Sequence, residues 1–188
     1  MKIIPVILDS CVIFPMPLCD TLLRAAEANF YCVHYSQEIL DGATRNLVKT
    51  GRMIDLKASR FQEMIKRYFP HAMVEVPRDL VDIMTNHPAD RHVVAAAIVA
   101  KAKIIVTSNL KHFPVEALTP WSIEAQHPDV FLTYLYEIFP DSMVQLIQQQ
   151  SQDLNNPPLS IAELLDRLNP QVPVFANKVR LAQKNSGN

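Results

Sequence analysis

Glycine is almost missing from this 188-residue chain, which holds only Gly42, Gly51 and Gly187. Three isolated glycines cannot build a G-x-G-x-x-G or G-x-x-x-x-G-K-[ST] loop. Dinucleotide enzymes that grip a pyrophosphate on a glycine turn are therefore excluded, and so are P-loop nucleotidases. Cysteine is equally scarce: Cys11, Cys19 and Cys32 are odd in number and lack C-x-x-C spacing. They read as reduced thiols of a cytoplasmic protein, not as a disulfide frame. The six histidines never recur as H-x-x-x-H, which predicts no zinc site. The longest strictly apolar run, Val93–Ala100, is too short to span a bilayer, so no membrane association is expected. Pro5 and Asp9 interrupt the first apolar stretch after a single lysine, a pattern unlike a signal peptide.

What is plentiful is apolar side chain, 49% of the chain, enough for a buried core at this length. Net charge is only −1, but it is unevenly spread. Residues 45–78 carry Arg45, Lys49, Arg52, Lys57, Arg60, Lys66, Arg67 and Arg78 against Asp55, Glu63 and Glu75. Residues 116–166 carry acids and neither Lys nor Arg. Such asymmetry lets a polyanion meet one face and be repelled from another, and two solvated helical faces of opposite sign would read the same way.

Strand and helix signals alternate along the first two thirds. Pro5–Leu8 is a buried strand ending at Asp9, Tyr31–Tyr35 a second, Met73–Val76 a third and Lys103–Thr107 a fourth. Between them lie helical patterns at 18–28, 37–49 behind a Ser36 cap, 52–69, 79–84 and the alanine-rich 90–101. Alternation of this kind predicts a parallel sheet covered on both faces, a three-layer α/β/α domain over about residues 1–125. From residue 126 onward only helices are expected, near 129–138, 141–154, 160–168 and 174–184, forming a C-terminal extension over 126–188.

In a parallel α/β sheet the site lies at the carboxyl ends of the strands, where strand order reverses. That rule brings Asp9 and the Thr107-Ser108-Asn109 segment together, with Asp90 opening the helix ahead of strand four. Carboxylate and amide oxygens converging on a cleft suit a hard divalent cation, and metal-activated water attacking a phosphodiester is the matching chemistry. Each residue also has a plain reading: Asp9 as a turn acceptor, Asp90 as a helix-start acid and Asn109 as a turn residue.

Taken together, LDSCVIFP (8–15), SQEILDGATRNL (36–47), ADRHVVAAAI (89–98), IVTSNLKHFP (105–114) and HPDVFL (127–132) resemble a PIN-domain nuclease, specifically the VapC-type toxins with a helical C-terminal extension. The resemblance implies a Mg²⁺- or Mn²⁺-dependent ribonuclease, with RNA as substrate and a small antitoxin protein as inhibitor. A homodimer is a candidate assembly that the sequence does not decide. It implies that Asp9, Asp90 and Asn109 hold the metal and serve catalysis. Thr107 matches the threonine that precedes the last of these, and Arg91 and His92 are candidates for substrate contact.

Two positions depart from that pattern. The family glutamate falls on Gly42, and a further aspartate falls on His87. Glu38 and Asp41 are the candidate replacements. Glu38 is about 6 Å along the same helix face from position 42. Asp41 is turned about 100° away. Gly42 has no helix-propensity rationale, which leaves simple loss of the glutamate, the favoured reading, or a need for close packing. A depleted site raises the alternative of a catalytically degenerate PIN fold that binds RNA or protein without cutting.

Overall fold

The computed structural model describes residues 3–13, 16–51, 53–154 and 158–186. Phe14 and Pro15 of the first motif, Arg52 of the basic stretch, and Gly187 lie outside those residues. The chain forms two compact units, one of residues 1–15 and 31–126, the other of residues 16–30 and 127–188.

The first unit is built on a five-stranded sheet in the order β3-β2-β1-β4-β5, all pairs parallel. Its strands are β1 (Pro5–Leu8), β2 (Cys32–Ser36), β3 (Met73–Val74), β4 (Ile104–Val106) and β5 (Glu124–Gln126). In the two central strands, consecutive residues Val6, Ile7, Leu8 and Ile104, Ile105, Val106 are all buried. Side chains alternate between faces, so consecutive burial means that both faces are covered, as the α/β/α arrangement requires.

Around the sheet run α1 (Ser10–Ile13), α3 (Gln37–Lys49), α4 (Asp55–Tyr68), α5 (Arg78–Asp82), α6 (Arg91–Val99) and α7 (Val115–Leu118). Ser36 caps α3 by accepting the Ile39 amide at 3.3 Å. The residues Val93 to Ala97 of α6 are buried, and three of them are alanines, which lets this helix lie close on β1, β2 and β4. The Tyr35 hydroxyl donates to the Ile65 and Phe69 carbonyls, tying β2 to the end of α4.

The fifth strand was not expected from the sequence. Glu124, Ala125 and Gln126 lack an apolar run, and their register is set by pairing with Ile104, Ile105 and Val106. Only Glu124 of this edge strand is exposed and the other two residues are half-buried, but a three-residue strand without an apolar run leaves no hydrophobic pattern to read.

The second unit contains α2 (Met16–Glu27), α8 (Pro128–Ile138), α9 (Pro140–Asp153), α10 (Ile161–Leu168) and α11 (Pro173–Ser186). Helix α2 buries Leu18, Cys19, Leu22 and Ala25 and packs with α9 and α10. Thr21 donates to the buried Gln150 side chain at 2.8 Å, and Gln150 returns a bond to the Pro17 carbonyl at 3.0 Å. Arg24 pairs with Asp20 and Asp153. The buried Asp129 of α8 accepts the Val174 and Phe175 amides at 3.1 and 2.9 Å, which satisfies orphan donors at the start of α11.

Much of the acidic surplus in 116–166 thus has an internal use. Asp153 meets Arg24, Glu137 meets Lys178, Asp166 meets Arg180, and Asp129 caps a helix. No helix among the described residues is long and apolar enough to cross a membrane.

Candidate active site

Strands β1 and β4 are neighbours, and the chain leaves them in opposite directions across the sheet, to β2 and β3 on one side and β5 on the other. The strand order therefore reverses between them, and their carboxyl ends open a crevice there. The Asp9 amide donates to the Val106 carbonyl at 3.1 Å, which fixes the backbone of both strand ends. The Asp9 carbonyl then accepts the Val12 and Ile13 amides and starts α1.

The Asp9 side chain is 2% exposed and is held by three neutral donors. Thr107 Oγ1 donates to Oδ2 at 2.7 Å, Cys11 Sγ donates to Oδ2 at 3.2 Å, and Ser10 Oγ donates to Oδ1 at 3.2 Å. Burial, and then the charge of Asp9, push the Cys11 thiol up to about 12, so it remains S–H and keeps donating. Thr107 Oγ1 in turn accepts the Asn109 amide at 3.0 Å, and Cys11 Sγ accepts the Ser108 amide at 3.2 Å. The turn after β4 is thereby pinned to the end of β1.

Asp90 closes the short 3-10 turn Pro88–Asp90 ahead of α6. Its Oδ2 lies 2.6 Å from His112 Nδ1, and the Asn109 side-chain amide lies 2.6 Å from the same nitrogen. His112 ends a second 3-10 turn, Leu110–His112. Its ring stacks on His87 with centroids 3.7 Å apart and planes at 7°. Hydrogen bonds therefore run from Asp9 through Thr107 to the Asn109 backbone, and from the Asn109 side chain through His112 to Asp90.

The two candidate replacements for the glutamate divide. Glu38 lies 3.8 Å from His92 Nδ1, so α3 and the first turn of α6 face each other there. Asp41 accepts from Gln37 and Gln62, and so belongs to the polar contact between α3 and α4. Arg91 Nε reaches back to the Asn86 carbonyl at 3.5 Å. Phe113 is buried and Trp121 half-buried, consistent with packing roles. At Gly42, an added Cβ would lie 3.2 Å from Ser10 Cβ and 3.4 Å from Ser10 Oγ. The glycine is where α3 meets α1 beside Asp9, so close packing accounts for a residue that helix propensity does not.

His112 escaped the sequence reading. It stands 22 residues from Asp90 and 25 from His87, outside any helical repeat, and only the turn after β4 folds it back. A ligand search limited to short histidine spacings cannot find such a pair.

Residues 128–181 match the family model described as the VapC50 C-terminal domain. The chain is also 45% identical over 102 residues to a protein of Mycobacterium tuberculosis named "Putative ribonuclease VapC50". The chain resembles VapC-type PIN proteins with a C-terminal extension. The aligned stretch is 54% of this chain and 60% of that VapC50 protein, so the match spans less than two thirds of the relative's length. The VapC50 C-terminal match lies wholly within the second unit, over α8 to α11. No solved structure matches the chain significantly.

Proposed function

We propose that the chain is a metal-dependent endoribonuclease, the toxin of a type II toxin-antitoxin pair, with Asp9, Asp90 and Asn109 as its catalytic and metal-holding residues. The observation that carries this reading is the environment of Asp9. Its carboxylate is buried at the sheet's reversal point, and no Lys, Arg or His among the described residues forms an ion pair with it. Neutral donors orient a buried anion without balancing its charge, and a cation at the strand ends would supply that balance. The donor set of two carboxylates and an amide oxygen fits Mg²⁺ or Mn²⁺.

A divalent ion held by Asp9, Asp90 and Asn109 would supply activation of water and stabilisation of charge on the phosphodiester. Asp9 is oriented for this by Thr107 and Ser10, which leave its carboxylate one geometry. Asp90 and Asn109 are held by one imidazole, His112. Arg91 and His92 stand at the start of α6, at the rim where a phosphate approaches. The basic residues of α3 and α4, Arg45, Lys49, Lys57, Arg60, Lys66 and Arg67, can track an RNA backbone without reading its sequence. The relative's name, a putative ribonuclease, supports RNA as the substrate; a small antitoxin protein as partner and a cytoplasmic location belong to the same proposal.

With glycine at position 42, tight against Ser10, α3 brings no carboxylate to Asp9 from that position, and this favours a second reading. On that reading the chain binds RNA without cutting it. Purified full-length protein incubated with total RNA and Mn²⁺, Mg²⁺ or EDTA separates the two. Metal-dependent cleavage absent from Asp9→Asn supports the nuclease. RNA retention without cleavage under any metal supports the binding module.

A further inference from the structure

Away from Asp9, the described residues hold a second kind of ligand set. His87, Asp90 and His112 each offer one ligand atom, and these atoms all lie within 4.8 Å of one another. We propose that this cluster binds one borderline divalent transition-metal ion, with Zn²⁺ as the reference, through the imidazoles of His87 and His112 and a carboxylate oxygen of Asp90.

Ligand chemistry is the first argument. Carboxylate, carbonyl and water ligands suit Mg²⁺, whereas imidazole suits zinc and its neighbours. Two histidines and one carboxylate form a zinc-type set that leaves a fourth position open.

Distance is the second. Ligand atoms around one tetrahedral ion at zinc bond lengths stand about 3.3 Å apart. The three atoms here lie within 4.8 Å of one another, so the wider gaps have to close and the 2.6 Å His112–Asp90 contact has to open, shifts on the scale of side-chain rotation.

The third argument is the crowding at His112 Nδ1. Asp90 Oδ2 and the Asn109 amide both lie 2.6 Å from it. An amide NH₂ needs a lone pair on that nitrogen, while the carboxylate needs an N–H there. Turning the Asn109 amide over lets one N–H bridge two oxygens. An ion bound at Nδ1 would replace that shared proton and remain attracted to the Asp90 carboxylate, once their 2.6 Å contact has opened to coordination distance.

His87 stands beside His112 and reaches a shared ion by turning its ring out of the stack, because an imidazole lone pair lies in the ring plane. Its ring stacks on His112, its backbone N–H donates to the His112 carbonyl at 3.2 Å, and its Nδ1 accepts the Ala89 amide at 3.3 Å. Nε2 is then the nitrogen left to coordinate. His87 is exposed and the other two are half-buried, so the ion enters directly from solvent.

This site does not rest on the ribonuclease reading. It shares Asp90 with the oxygen-ligand site, but it contains two imidazoles and excludes Asp9.

The test is Zn²⁺ competition against a chromogenic chelator, with untagged full-length protein in millimolar Mg²⁺. The wild type is expected to take one equivalent of Zn²⁺. His87→Ala and His112→Ala should each weaken it at least tenfold. Asp9→Asn should keep Zn²⁺ affinity within threefold even where it abolishes RNA cleavage, which separates failure of one reading from failure of the other. Absence of Zn²⁺ uptake by the wild type, or unchanged affinity in both histidine variants, overturns the proposal. Should His112→Ala fail to fold, the Co²⁺ spectrum of the wild type decides. Intense visible bands of four-coordinate, nitrogen-ligated Co²⁺ are expected, and the weak spectrum of six-coordinate aqua Co²⁺ overturns the site.

Discussion

Thr107 and Asp9 are 98 residues apart in the chain, yet the Thr107 hydroxyl donates to the Asp9 carboxylate at 2.7 Å. The contact exists because β1 and β4 pair in register, Leu8 opposite Val106, so the next residue of each strand meets the other. The first prediction concerns this bond. Thr107→Val keeps the shape and leaves one lone pair of a buried carboxylate unmet, at a cost of about 1–3 kcal/mol. Chemical denaturation should show that loss with the fold retained. Mn²⁺ affinity should fall in the same variant, because Asp9 is no longer held in one orientation.

Gly42 and Ser10 give a prediction whose sign reverses with its partner. Alanine gains about 1 kcal/mol over glycine in a helix interior. Overpacking costs about 1–3 kcal/mol, and here the new Cβ meets Ser10 Cβ at 3.2 Å. Gly42→Ala should therefore destabilise the wild type. Introduced into a Ser10→Gly background it should stabilise. Equal effects in the two backgrounds, measured by urea denaturation, would dissociate Gly42 from Ser10. Gly42→Glu, which the sequence alone marks as a restoration of the site, should carry the same penalty.

In the helical unit, Asp129 carries the sharpest expectation. It accepts two amides at the start of α11 and is buried. Asp129→Ala removes a cap and should cost about 1–2 kcal/mol. Asp129→Asn keeps an acceptor without the charge and should fall between. Thermal melts of the three proteins rank them directly.

Removal of residues 127–188 strips α2 of α9 and α10. Leu18, Leu22 and Ala25 then lose their cover, and Gln150 is no longer there to accept from Thr21. The truncated protein should aggregate or melt earlier than the full chain. A monodisperse truncation with an unchanged melting profile, by light scattering and circular dichroism, would contradict the assignment of α2 to that unit.

Residues with a local physical signature were legible in the sequence. The apolar run Pro5–Leu8 ending at Asp9, the Ser36 cap and the alanine-rich α6 each follow from burial, capping or close packing over a few neighbouring residues. The strand-end rule then placed Asp9 beside Thr107. What was hidden depends on partners far along the chain. β5 is a strand because β4 pairs with it, and His112 reaches Asp90 because a 3-10 turn aims it backward. Helix α2 shows its apolar face in the sequence, but nothing local says that α9 and α10 cover it.

The central claim is that a cation held at Asp9 cuts RNA. Its most direct test is the initial cleavage rate of RNA in Mn²⁺ by the wild type and by Asp9→Asn, with matched melting curves. A loss of general metal-ion catalysis is worth several kcal/mol, so the account predicts cleavage by the wild type, its abolition by EDTA, and a fall of at least a hundredfold in the variant. Equal rates for the two proteins, or cleavage that persists in EDTA, would contradict it.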